Sequence, residues 1–122
     1  MKNKFSFSRR NPRTKKLENT GFMEFRNVSN NAADLYIYGD IVSSTWAAWC
    51  DEDTCPQDIA DFMSQVEPGA DLTVYINSGG GDVFAGIAIH SILSRHSGHK
   101  KGVVDGIAAS IASVILMACD EI

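Results

Sequence analysis

Cysteine, proline and long apolar runs are all scarce in this 122-residue sequence. Cys50, Cys55 and Cys119 are an odd number with no CxxC spacing, which argues against a disulfide framework and against a zinc site. Asp51, Glu52 and Asp53 lie between the first two, but carboxylates beside lone thiols are not a metal-site pattern, so no metal is expected. Reduced thiols fit a cytoplasmic protein. The longest apolar stretch, Ile107 to Cys119, is interrupted by Ser110 and Ser113 and falls short of the roughly 18 residues a membrane span needs. The basic N-terminus lacks an apolar segment of the secretory kind, so neither membrane nor export is expected.

Two nucleotide signatures are also missing. No Gly-Lys-Ser/Thr follows the glycine-rich stretch, which excludes a P-loop. A dinucleotide fingerprint would need a third glycine where Phe84 stands. No cofactor is expected.

What is present begins with a charge asymmetry. Residues 1–20 carry seven Lys or Arg and one Glu, whereas residues 21–122 carry four Lys or Arg against fourteen Asp or Glu. The first 20 residues, with Pro12 and no periodicity, are read as a disordered basic leader. Contact of that leader with nucleic acid or an acidic surface is the sharper alternative, and a nucleic-acid partner is not expected. Residues 21–122 form the single remaining domain.

Phe22 to Val28 alternates weakly, as an edge strand does. Asp34 to Tyr38 alternates strictly, with Leu35 and Ile37 on one face and Tyr36 and Tyr38 on the other, and Gly39-Asp40 ends it. Ser43 to Asp53 holds Trp46 and Trp49, three apart, a spacing that suits core packing or a substrate groove. Thr54-x-x-Gln57 with Pro56 is a capping-box pattern; Ile59, Phe62, Met63 and Val66 then form one helical stripe, ended by Glu67-Pro68-Gly69. Leu72 to Ile76 is a buried strand. A helix from Asp82 to about Ser97 shows Phe84, Ile87, Ala88 and Ile92 as its stripe. Gly98 to Gly102 reads as a turn, and Val103-Val104 as a short strand ending at Asp105-Gly106. Ala109 to Ala118 reads as a last helix, buried nearly all round. Strands alternating with helices from Leu72 onward imply parallel pairing.

The chemistry gathers in two small-residue turns. Ser78-Gly79-Gly80-Gly81-Asp82 leads from a strand into a helix, and Gly106-Ile107-Ala108-Ala109-Ser110 does the same. Glycines let the backbone approach a ligand, and the helix N-terminus beyond offers free N–H groups. A serine opening a helix is ordinarily an N-cap. Two such turns at neighbouring C-terminal strand ends also make a ligand site.

These residues carry a resemblance. Ile76-Asn77-Ser78-Gly79-Gly80-Gly81-Asp82-Val83-Phe84-Ala85-Gly86, followed by Gly106-Ile107-Ala108-Ala109-Ser110-Ile111-Ala112-Ser113, resembles the ClpP serine-peptidase family, in the style of the head-maturation proteases of phages and prophages. It covers roughly Leu35 to Ile122. It implies an α/β fold of repeated ββα units, the ClpP/crotonase type, of which this would be the N-terminal portion. It implies Ser110 as nucleophile, the N–H groups of Gly81 and Ile111 as oxyanion donors, and Gly79 and Gly80 along the bound peptide. Polypeptide substrates, homo-oligomeric rings, and an AAA+ unfoldase or capsid and scaffold proteins are the implied partners. The family's histidine base and its aspartate follow the nucleophile helix and are expected beyond Ile122, so the chain by itself is expected to be inactive. His90, His96 and His99 all precede Ser110 and match no catalytic position. Two alternatives stay open: a crotonase-like acyl-CoA enzyme, and an inactive, truncated prophage product.

Overall fold

The computed structural model describes residues 3–41 and 60–122. The expected features at Trp46, Trp49, the Thr54 capping box, Cys50 and Cys55 lie outside these residues. Five strands form one sheet in the order β1-β2-β3-β4-β5. Strand β1 is Lys4–Arg10, β2 Leu17–Arg26, β3 Ala32–Gly39, β4 Asp71–Ser78 and β5 Lys100–Ala108. β1, β2 and β3 pair antiparallel; β3, β4 and β5 pair parallel, as the alternation of strands and helices implies. Helix α1, Val83–Arg95, follows β4, and helix α2, Ile111–Leu116, follows β5. Among the described residues, no helix is long and apolar enough to cross a membrane.

Where a disordered leader is expected, Lys4–Arg10 form β1 and Leu17 begins β2. Phe5 and Phe7 alternate with serines, and Phe7 is buried beside Met23 and Phe25 in the core. Charge had masked this period of two. Arg13, Lys15 and Lys16 stay exposed in the hairpin loop, where Asn11 Oδ1 accepts the N–H groups of Arg13 and Thr14 at 2.8 and 3.2 Å. Strand β2 is therefore internal and not an edge, because β1 covers it.

Strict alternation in β3 and β4 divides the sheet. Ala33, Leu35 and Ile37 of β3 and Leu72, Val74 and Ile76 of β4 face the core. The other face carries an aromatic ladder. Tyr36 stacks on its register partner Tyr75 with ring centroids 4.7 Å apart, and Phe22 stacks on Tyr38 at 5.7 Å. Arg26 lies over the Tyr36 ring at 4.3 Å.

Both helices pack on the core face, but α1 turns a different side inward than its large residues suggest. Ala85, Gly86, Ile89 and Leu93 are buried, whereas Phe84 and Ile87 are exposed. Close packing decides this orientation. A side chain at Gly86 would run into Ile111 of α2, so the small residues form the contact between the helices. Helix α2 is shorter than expected, and it is not buried all round: Val114 and Met117 face outward. The helix expected through Val66 is helical only at 60–63 in the described residues, and Phe62 stacks on Phe25 at 5.0 Å. The expected turn at 98–102 gives way to β5 at Lys100, whose buried ammonium donates to the His96 carbonyl at 3.0 Å.

The orientation of α1 has a measurable consequence. Ile89→Ala deletes a fully buried side chain and is expected to cost about 2–5 kcal/mol in urea denaturation. Ile87→Ala, on the outward side, is expected to cost less than about 1 kcal/mol. A larger loss at Ile87 than at Ile89 would mean that the helix presents the other face.

Candidate active site

The two small-residue turns meet at the C-terminal ends of β4 and β5. Parallel pairing brings Ser78 opposite Ala108, with a register shift after Ile76. The Ser78 carbonyl accepts the Ala109 N–H at 3.1 Å. A methyl added to Gly80 would sit 2.7 Å from Ser110 Cβ and 3.2 Å from its Oγ. The chain therefore passes Ser110 so closely that only glycine fits at position 80, where φ is 106°.

Gly81 is constrained from the other side. It forms a bridge with Ile41, and a side chain there would strike the Ile41 carbonyl. The Ile41 N–H donates to the Gly80 carbonyl at 2.9 Å, and the Asp82 N–H donates to the Ile41 carbonyl. The peptide between Gly80 and Gly81 is trans, so its N–H points opposite its carbonyl, away from Ile41. Gly79 differs from both: a side chain there would meet nothing within 4 Å. Asp82 caps α1, its carboxylate accepting the N–H groups of Phe84 and Ala85 at 2.8 and 3.1 Å.

Ser110 is exposed and adopts φ 54° and ψ −132°, a conformation rarely taken by residues with a side chain. Such strain costs on the order of 1–3 kcal/mol and persists only where the surroundings enforce it. Here the Ala109 N–H is held by Ser78, and the Ser110 carbonyl accepts both the N–H of Ser113 at 3.0 Å and its hydroxyl at 2.6 Å. The Ser110 hydroxyl makes no capping bond to α2, so the ordinary N-cap explanation of this serine does not hold. Ile111 opens α2, and its N–H has no acceptor within the helix.

Other titratable groups have commitments of their own. Asp105 accepts the Tyr38 hydroxyl at 2.6 Å, and that bond pushes the phenol up to about 12. Burial pushes the Cys119 thiol up to about 11, which leaves it a poor nucleophile at neutral pH. Among the described residues, no cluster of three or more His, Cys, Asp or Glu is arranged to hold a metal ion.

A profile of the Clp protease family matches residues 52–122. The chain belongs to the Clp protease family. Over 57 residues it is 42% identical to the ATP-dependent Clp protease proteolytic subunit of Bacteroides fragilis, which is 47% of this chain and 28% of that protein. The corresponding subunit of Bacteroides thetaiotaomicron is 40% identical over 60 residues, 49% of this chain and 27% of that one. Among solved structures, ClpP1 from Listeria monocytogenes superposes with a TM-score of 0.50 at 29% identity, covering 70% of this chain and 46% of that one. Its N165D mutant gives a TM-score of 0.51 at the same coverage. The α/β fold is thus the one that Clp proteases share, and the matches span less than half of each relative's length.

Within this Clp protease chain, the histidines stand apart from Ser110 in their contacts. His96 Nε2 is 2.6 Å from the Ala70 carbonyl. His99 Nε2 is 2.8 Å from Glu121, and its other ring nitrogen is 3.7 Å from Asp120. His90 lies half-buried in α1. One participant escaped the sequence reading: Ser78, whose Oγ accepts the Gly80 N–H at 3.1 Å in a buried setting. Its signal was a polar residue on the core-facing side of β4, after Leu72, Val74 and Ile76.

Two outcomes are expected here. Gly80→Ala is expected to lose about 1–3 kcal/mol of stability in urea denaturation, because its φ is strained for alanine and its methyl meets Ser110. A neutral effect would contradict the close approach. In an NMR titration, the His99 ring is expected to ionise above the ordinary imidazole value, since the Glu121 carboxylate favours its charged form. The raised value makes the pair's stabilisation fully present below the ordinary imidazole pKa, and it is lost as pH rises through the folded value. Glu121→Gln is expected to lower the ring's value toward the ordinary one, with Asp120 still beside it; an unmoved titration would refute the contact.

Proposed function

We propose that the chain carries the nucleophile and the oxyanion donors of a serine endopeptidase. Ser110 Oγ attacks the scissile carbonyl carbon, and its proton passes to a general base. The negative charge that develops on the carbonyl oxygen is taken by the N–H groups of Gly81 and Ile111. The C–N bond then breaks, the amine leaves with the proton, and water releases the acyl group from Ser110. Gly79 and Gly80 line the path of the bound peptide in this reading. Each preorganised N–H group contributes on the order of 3 kcal/mol to the transition state.

One observation carries the proposal: Ser110 is held in a strained backbone conformation against Gly80, with its hydroxyl exposed and uninvolved in capping. A structural serine gains nothing from such strain, whereas a nucleophile gains an exposed Oγ beside free N–H groups. His96 and His99 are bonded elsewhere and His90 matches no catalytic position, so the general base in this reading is none of these three histidines. Membership of the Clp protease family favours peptide over thioester substrates. The relatives are named proteolytic subunits of an ATP-dependent protease, which supports an ATP-driven unfoldase and a multi-subunit assembly as partners. The likeness of the two turns to head-maturation proteases supports capsid or scaffold polypeptides as substrates.

The test is covalent labelling of the full-length protein by a fluorophosphonate probe, followed by mass mapping. The expected adduct is on Ser110, absent in Ser110→Ala, with peptide hydrolysis reduced by about 10³-fold or more in that variant. A folded, full-length protein that leaves Ser110 unmodified would defeat the proposal.

A further inference from the structure

The proposed nucleophile and oxyanion donors sit on separate turns, and one buried residue is bonded to both. Ser78 is the last residue of β4 and only 2% exposed. The alternation of β4 points it to the core face, where an apolar side chain is the ordinary choice. A buried hydroxyl is costly unless it is hydrogen-bonded. Here Ser78 Oγ accepts the Gly80 N–H at 3.1 Å, and its carbonyl accepts the Ala109 N–H at 3.1 Å.

The consequence follows from peptide geometry. Gly80 is held at both ends, its N–H by Ser78 and its carbonyl by the Ile41 N–H at 2.9 Å. The carbonyl of Gly80 and the N–H of Gly81 share one rigid trans peptide plane. Fixing Gly80 therefore aims the Gly81 N–H. On the other turn, the Ser78 carbonyl anchors Ala109, immediately before the strained Ser110. Glycine at 80 and 81 has the widest conformational choice of any residue, so such pinning matters most at these positions.

We infer that Ser78 is a positioning residue of the acyl-transfer site, setting the orientation of the Gly81 N–H relative to Ser110. The inference rests on the reading of Ser110 as nucleophile. Ser78 is buried and its hydroxyl is engaged with Gly80, so it acts through the turn and not on the substrate.

The test is Ser78→Ala in the full-length protein, because alanine fits the space and leaves the backbone bond to Ala109 in place. The loss of one buried hydrogen bond, with the Gly80 N–H left unpaired, is expected to lower the fluorophosphonate labelling rate and kcat about tenfold. KM is expected to stay at the wild-type value. Amide hydrogen exchange is expected to quicken at Gly80 and Gly81 while β2 and β3 keep their protection. Should the alanine variant not fold, Ser78→Cys, with a weaker sulfur acceptor of similar shape, is read by the same criteria. A labelled wild type together with a variant that labels and turns over at the wild-type rate overturns this inference alone. So does a rate loss matched by uniform loss of protection across the sheet, which is plain destabilisation. A wild type that takes no probe at Ser110 overturns the nucleophile reading, and this inference with it.

Discussion

The close approach of Gly80 to Ser110 is the constraint on which the site depends. Two strand ends must lie side by side, in register, with no side chain between them. Parallel pairing of β4 and β5 supplies the adjacency, and the bond from Ala109 to the Ser78 carbonyl closes it. Glycine at positions 80 and 81 then permits a backbone path that a β-carbon would block on both sides, by Ser110 on one and Ile41 on the other. The contact also links distant parts of the chain, because Ile41 follows β3 and holds the first turn, whereas Ser110 precedes α2.

The rest of the fold supplies the rigidity this arrangement needs. Burial of a large apolar side chain is worth roughly 1.5–3 kcal/mol, and β1, β2 and β3 bury Phe7, Met23, Phe25, Leu35 and Ile37 on one face. The hairpin of β1 and β2 covers the edge that β3 would otherwise expose, as edge strands require protection. The aromatic ladder on the opposite face ties β2, β3 and β4 together through Phe22, Tyr38, Tyr36 and Tyr75. Against that frame, α2 buries Ile111, Ala112, Ile115 and Leu116, and its docking offsets the strain at Ser110.

The first strand was hidden by its own charges: seven basic residues in the first 20 outweigh two phenylalanines in any compositional reading. Arg13, Lys15 and Lys16 are solvated in the hairpin loop while Phe7 is buried, and a composition cannot separate the two. In helix α1 the size of a side chain is no guide to its burial. The contact of α1 with α2 needs small residues, so Ala85 and Gly86 go inward and Phe84 stays out. Likewise, the hydroxyl of Ser78 drew no attention in the sequence, since its partner is a backbone N–H that only the folded turn brings near.

The sequence by itself determined the strand periodicity of β3 and β4, the parallel order of the last elements and the position of the two small-residue turns. These are local properties, written in alternation, glycine content and motif spacing, and they sufficed to indicate the Clp protease family. Tertiary structure decided what depends on approach between segments: that β1 joins the sheet, which face of α1 is buried, that Gly80 and Gly81 cannot bear side chains although Gly79 can, and that Ser110 is strained and free of any capping role. Each of those is settled by contacts between residues far apart in the chain, and no local pattern records the distance between them.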